Sequence, residues 1–186
     1  MQKKHLTFSN IIFAIFIILL IIPQTRTAMQ VAVNKIRVLV LSPSELNVEE
    51  QTELGAFDYL LTDLEGQLVH IAIGKDKAVF LSYWATWCPP CIAEMPSIQE
   101  LYNDYGDKID FVLLTSEDPE TVRSFLEKKR YNLPVFIPRM QAPEKLYGRS
   151  IPTNYIIDKS GKIIIKETGA ANWNSQKLRV ILESLE

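Results

Sequence analysis

Apolar residues fall into blocks whose spacing changes along the chain. Residues 11–22 form an unbroken apolar run, IIFAIFIILLII, behind Lys3, Lys4 and His5 and ended by Pro23. Residues 31–41 (VAVNKIRVLVL) are rich in β-branched side chains and read as an extra strand or a stalk lying against the rest. Residues 57–61 and 67–73 flank Thr62-Asp63-Leu64-Glu65-Gly66, the pattern of a hairpin. Residues 78–84 (AVFLSYW) are almost continuously apolar, as expected of a strand buried on both faces. From Pro89 the period changes. Ile92, Met95, Ile98, Leu101, Tyr102 and Tyr105 recur at helical spacing until Gly106, and Pro96 inside the run should kink it. Residues 109–114 predict a strand. Asp118 opens a helix with Val122, Phe125 and Leu126 inward, and Lys128, Lys129 and Arg130 complement the dipole at its end. Residues 153–157 and 162–166 are strands joined by Asp158-Lys159-Ser160-Gly161, and a last helix is expected over 173–185. The order β-β-β-α-β-α-β-β-α predicts an α/β fold, a central mixed sheet flanked by helices, with an added N-terminal hairpin.

Composition narrows the classes of function. The 186 residues carry 20 Lys and Arg against 22 Asp and Glu, so the chain as a whole is no basic nucleic-acid binder. Residues 1–28 hold Lys3, Lys4 and Arg26 and no acid, which leaves a mildly acidic body. Three readings compete for the apolar run: a buried core helix, a cleaved signal peptide, and an uncleaved anchor over residues 6–22. Arg26 and Thr27 before Ala28 make a poor cleavage site. The signal and anchor readings both send the body out of the cytosol, with Lys3 and Lys4 left inside. The expected organisation is a signal or anchor over 1–28, a connector over 29–55 and one domain over 56–186.

Trp87-Cys88-Pro89-Pro90-Cys91 carries the chemistry. Both thiols stand where a buried strand gives way to a helix. Free N–H groups and the dipole at the helix N-terminus favour the Cys88 thiolate, the form that attacks a disulfide. Cys91, one turn further in, is close enough to displace a mixed disulfide. A zinc site needs about four ligands, and beyond the two cysteines the chain offers only His5 and His70. A purely structural disulfide across so short a loop would stabilise little. No cofactor beyond the cysteine pair, and no metal, is expected.

In these residues the chain resembles the thioredoxin superfamily, and within it the exported TlpA/ResA-like thiol–disulfide oxidoreductases. The stretch from Phe80 to Cys91, the Glu94-Met95-Pro96 that follows, Arg149-Ser150-Ile151-Pro152-Thr153 and the turn from Asp158 to Ile163 carry the likeness. The resemblance implies a cis bond at Ile151–Pro152 facing the sulfurs. It departs from thioredoxin at Ser82, where thioredoxin has a buried Asp, and implies that Glu94 supplies a related proton-handling role. Glu94 also reads as an ordinary solvent-facing helix carboxylate. Trp87, with Pro89, Pro90, Ile151 and Pro152, is expected to form the substrate surface.

The leading expectation is therefore an exported, membrane-tethered oxidoreductase in which Cys88 attacks and Cys91 resolves. The resemblance implies reduction of particular extracytoplasmic partners, such as apocytochrome c thiols or copper-site proteins, with electrons from a membrane thiol-reductant transporter. A disulfide oxidase or isomerase, a peroxiredoxin-type peroxidase and a non-catalytic binding module are the alternatives. No Pro-x-x-x-[ST]-x-x-Cys segment of the peroxiredoxin kind occurs. His70 is expected at the surface, and Tyr147 and Tyr155 as structural residues.

Overall fold

The computed structural model describes residues 8–146 and 150–185. Lys3, Lys4, His5, the first two residues of the expected anchor, Tyr147 and Arg149 lie outside the described residues.

Among the described residues eight strands form one sheet, in the order β1-β8-β7-β4-β5-β6-β2-β3. The central strand is β4, Val79–Tyr83, running parallel to β5, Asp110–Leu114, and antiparallel to β7, Thr153–Ile157. Its side chains alternate between two cores, as the period of a strand requires. Phe80 enters one core with Phe111 and Trp173, while Val79 and Leu81 enter the other with Val112, Leu114 and Tyr155.

Helices cover the first of these faces. α3, Pro89–Tyr105, connects β4 to β5, and α4, Pro119–Lys129, connects β5 to β6, Val135–Pro138. Both units step across the sheet in the same direction between parallel strands, so right-handed crossovers put both helices on one side. Asp118 caps α4 by accepting from Glu120 N and Thr121 N. The predicted hairpin is β2, Phe57–Thr62, and β3, Leu68–Ile73, at the far edge of the sheet. Its Tyr59, Leu61 and Ile73 close the second core with Leu146. β8, Lys162–Thr168, and the two-residue β1, Thr52–Glu53, finish the other edge.

Four elements differ from the predicted pattern. Residues 31–41 form no strand: up to Val40 they are the second half of a helix, α2, Pro23–Val40, which lies against the domain as the stalk reading has it. Pro23 at its start pre-sets the helical φ, and its half-buried Thr27, Val31, Asn34 and Val38 recur at helical spacing along the side that packs against α3. The last helix, α5, is shorter than its pattern and spans Gln176–Glu183. Ser175 caps it, and Trp173 stands before it as a fully buried core residue. β1 and β6 have no counterpart in the predicted elements.

α1, Phe8–Ile21, precedes α2, and each of its described side chains is exposed, which removes the core-helix reading. Among the described residues no single helix is long and apolar enough to cross a membrane; α1 and α2 meet at a bend of 94°.

Candidate active site

The two cysteines are joined as a disulfide, with Cα atoms 5.3 Å apart. Cys88 is the N-cap of α3, and its sulfur accepts a hydrogen bond from Cys91 N at 3.3 Å. Pro89 and Pro90 occupy the first helical positions, where the missing N–H groups cost nothing. Both cysteines are buried, whereas the neighbouring Trp87 is 67% exposed.

Glu94 lies one turn along α3 from Cys91 and is only 1% exposed, so the solvent-facing reading is wrong. The cause is the helix's position. α3 is sandwiched between the sheet and the segment before α5, and the Glu94 side of the helix faces that segment. Oε1 accepts from Asn154 Nδ2 at 2.9 Å, and Oε2 accepts from Trp173 Nε1 at 3.1 Å and Ala171 N at 3.2 Å. Ser97 locks the arrangement by donating to Glu94 O and accepting from Trp173 N. Burial pushes the carboxyl up to about 8, against the three hydrogen bonds, which favour its charged form. At neutral pH it is therefore mostly protonated, a buried acid that can exchange a proton near physiological pH.

The Ile151–Pro152 bond is cis. Strand register brings this turn to the cysteines: Tyr83 at the end of β4 pairs with Thr153 at the start of β7. Pro152 is buried, and its carbonyl accepts from Gly169 N at 2.9 Å. No backbone hydrogen bond to another described residue engages Ile151. Trp87 and Ile151 line one largely apolar cavity of about 340 Å³ together with Tyr83, Trp84, Glu117 and Pro138. The site residues read from the sequence thus converge on one end of the sheet. His70 lies apart, exposed on β3, and Tyr155 is buried, its hydroxyl donating to Leu146 O.

Two further residues belong to this region. Asn154 stands opposite Ser82 across the β4–β7 pair and is fully buried. Glu117, in the loop after β5, grips the turn before Cys88. Its Oε2 accepts from Thr86 N at 2.6 Å and from Thr115 Oγ1 at 3.3 Å, and its Oε1 accepts from Thr86 Oγ1 at 2.7 Å. A polar Asn within the apolar strand TNYII was a legible sign of a buried partner. Glu117 left no such sign, because its contact spans 31 positions of sequence. Among the described residues no three His, Cys, Asp or Glu side chains gather to hold a metal.

Comparison with known proteins agrees with this geometry. The Redoxin family model matches residues 47–182. Thiol-disulfide oxidoreductase ResA of Bacillus thuringiensis subsp. konkukian is 38% identical over 121 residues, 62% of this chain and 70% of that protein. Thioredoxin-like protein YneN of Bacillus subtilis is 32% identical over 126 residues, 66% of this chain and 73% of that one. The exposed lipoprotein thioredoxin Etrx1 of Streptococcus pneumoniae superposes with a TM-score of 0.52 at 27% identity, over 69% of this chain and 98% of its own. StoA from Bacillus subtilis, at 22% identity and a TM-score of 0.54 over 70% of this chain and 97% of its own, shares the fold. With its thioredoxin-like sheet and its Cys-Pro-Pro-Cys disulfide at a helix N-terminus, the chain belongs to the Redoxin family, as a TlpA/ResA-like thiol–disulfide oxidoreductase of the thioredoxin superfamily.

Proposed function

We propose that this oxidoreductase reduces disulfides of specific extracytoplasmic proteins, with Cys88 as nucleophile, Cys91 as resolving thiol and Glu94 as the group that takes and returns the resolving thiol's proton. In the dithiol form the Cys88 thiolate attacks one sulfur of the substrate disulfide. That S–S bond breaks, and the substrate's other sulfur leaves with the electron pair. Cys91 then gives up its proton, and its thiolate attacks Cys88 Sγ. The mixed disulfide breaks, the second substrate thiolate departs, and the Cys88–Cys91 disulfide remains. The substrate has gained two electrons and the enzyme has lost them. Regeneration runs the same exchange backwards with an external dithiol, and the Cys91 leaving group then needs a proton.

The observation that carries this reading is the buried Glu94 carboxyl one helical turn from Cys91, held up to about 8 in the disulfide state. Such a group has the proton affinity to serve both directions near neutral pH. The Cys91 N–H that bonds Cys88 Sγ is available to steady the Cys88 thiolate. Trp87, Pro89, Pro90, Ile151 and Pro152 form the substrate surface in this proposal. Ile151, unengaged by other described backbone, is suited to pair with an extended substrate strand.

The location is part of the proposal. Lys3 and Lys4 ahead of an apolar helix with exposed sides support residues 1–28 as a targeting segment kept as an anchor at residues 6–22, with 29–55 as connector and 56–186 as the catalytic domain on the outer side of the cytoplasmic membrane. Apocytochrome c thiols or copper-site proteins are the partner class, and a membrane thiol-reductant transporter is the electron source. No cofactor beyond the cysteine pair is required. The test is the pH dependence of single-turnover disulfide reduction in the parent chain and in Glu94→Gln. Loss of an inflection near 8 in the variant supports the relay, and identical profiles refute it.

A further inference from the structure

We infer that α2 is an interfacial membrane helix that seats the redox domain flat on an anionic lipid surface. The inference rests on the proposed anchor at residues 6–22. Four observations lead to it.

The first is the two-sidedness of α2. Thr27, Val31, Asn34 and Val38 face the domain along α3. The opposite side carries Val33, Ile36 and Val40, spaced three and four residues apart, and these are 66%, 64% and 76% exposed. A helix packed on a soluble domain should turn polar residues to water on that side. This one turns out β-branched aliphatics.

The second is charge. Arg26, Lys35 and Arg37 lie on α2, and the first acid of the chain is Glu45. At 100° per residue, Arg26 falls on one flank of the Val33-Ile36-Val40 stripe and Lys35 on the other, while the Arg37 guanidinium turns back onto the domain beside Thr168 and Gly169. That is the layout of a helix lying in the headgroup plane, with aliphatics dipped inward and cations reaching anionic headgroups.

The third is direction. The bend between α1 and α2 is 94°. With α1 along the membrane normal, α2 lies in the membrane plane. The fourth is succession along the chain: α1 presents exposed apolar side chains all along its described length, and after Ile22 the next large apolar side chain to be exposed is Val33, the first of the α2 stripe.

The consequence reaches the active site. Arg37 Nη2 donates to Thr168 O at 3.4 Å, and Gly169 N donates to Pro152 O at 2.9 Å. The substrate turn is therefore two short links from the proposed membrane face, which places the enzyme's working edge close to disulfides at the membrane surface.

The test uses the full chain reconstituted into vesicles of phosphatidylcholine with phosphatidylglycerol, the lipids brominated high on their acyl chains. Ile36→Trp adds a fluorophore at the centre of the stripe, and Val40→Trp is the second probe. Both positions are exposed, so the fold tolerates the change. The added emission, taken as the difference from the parent chain, should fall at least twofold on bromination. Arg26→Gln combined with Lys35→Gln should at least halve that quenching, and pure phosphatidylcholine should do the same. Added emission that brominated lipid leaves unchanged at both positions overturns the inference. Alkaline carbonate extraction separates it from the anchor reading. A chain retained in the bilayer with unquenched probes refutes the interfacial helix alone. A chain stripped from the vesicles that was quenched beforehand refutes the anchor and leaves the interfacial helix standing.

Discussion

Asn154 Nδ2 donates to Glu94 Oε1 at 2.9 Å, joining the strand that follows the cis-proline turn to the helix that Cys88 caps and that carries Cys91. Asn154 Oδ1, on the same amide, is buried and has no hydrogen-bond partner among the described residues. Turned end over end, that amide offers an acceptor to the carboxylic acid in place of a donor to the carboxylate. One side chain can therefore serve both protonation states of Glu94.

Replacing Asn154 with Leu keeps the volume and removes a donor to the charged form. The Glu94 carboxyl should then move further above about 8. The carboxyl carbon shift of Glu94, followed by NMR across pH, checks this. Movement downwards would contradict the hydrogen-bond assignment.

Glu94 also makes stability depend on pH with a definite sign. Its folded value is raised to about 8 from an ordinary 4.5, chiefly by burial. Its contribution is fully present below 4.5 and is lost as pH rises towards 8, because the unfolded chain releases a proton that the native chain retains. The slope reaches at most about 1.4 kcal/mol per pH unit. Denaturant unfolding of the disulfide form should show this fall, and Glu94→Gln should flatten it. The same variant should slow thiol exchange by on the order of 10²-fold, the scale of lost acid–base assistance.

Much of this is legible in the sequence. A near-continuous apolar strand, a Cys pair and two prolines place the disulfide at a helix N-terminus through local rules alone. The burial of Glu94 was not legible, because α3 is packed on most of its circumference and periodicity does not single out one inner side. Residues 31–41 misled for a related reason. Their β-branched content favours a strand in isolation, while packing of Val31 and Val38 towards α3 overrides that preference. β6 follows Pro134, ends on Pro138 and shares only two register pairs with β5, too short for a pattern.

Glu117 is expected to act as a positioning residue. Glu117→Ala removes the acceptor of Thr86 N and Thr86 Oγ1 and frees the turn that leads to Cys88. Loss of charge-assisted hydrogen bonds should cost about 2 kcal/mol of stability. The reduction potential, measured against glutathione, should also shift, and Trp87 emission should become more mobile by anisotropy. A variant with parental potential and parental anisotropy would limit Glu117 to a structural role.

The loops opposite the site give an independent check on the fold. A Cβ on Gly74 would come within 2.8 Å of Gly161 Cα, and one on Gly161 within 2.6 Å of Gly55 O. Both glycines also have positive φ, 69° and 83°. Gly161→Ala should therefore lower stability by about 1–2 kcal/mol from conformation alone, and by more from the contact. Thermal unfolding reads this out, and thiol exchange in the folded variant should stay at the parental rate.

The central claim is the division of labour between the two sulfurs. It is tested most directly by mixing the reduced Cys91→Ser chain with a disulfide-bonded protein and analysing the product by intact and peptide mass spectrometry. The account predicts a stable one-to-one mixed disulfide on Cys88, released by added dithiol, while reduced Cys88→Ser gives little adduct under the same conditions. Equal trapping on both variants, or adducts confined to Cys91 in Cys88→Ser, would contradict it.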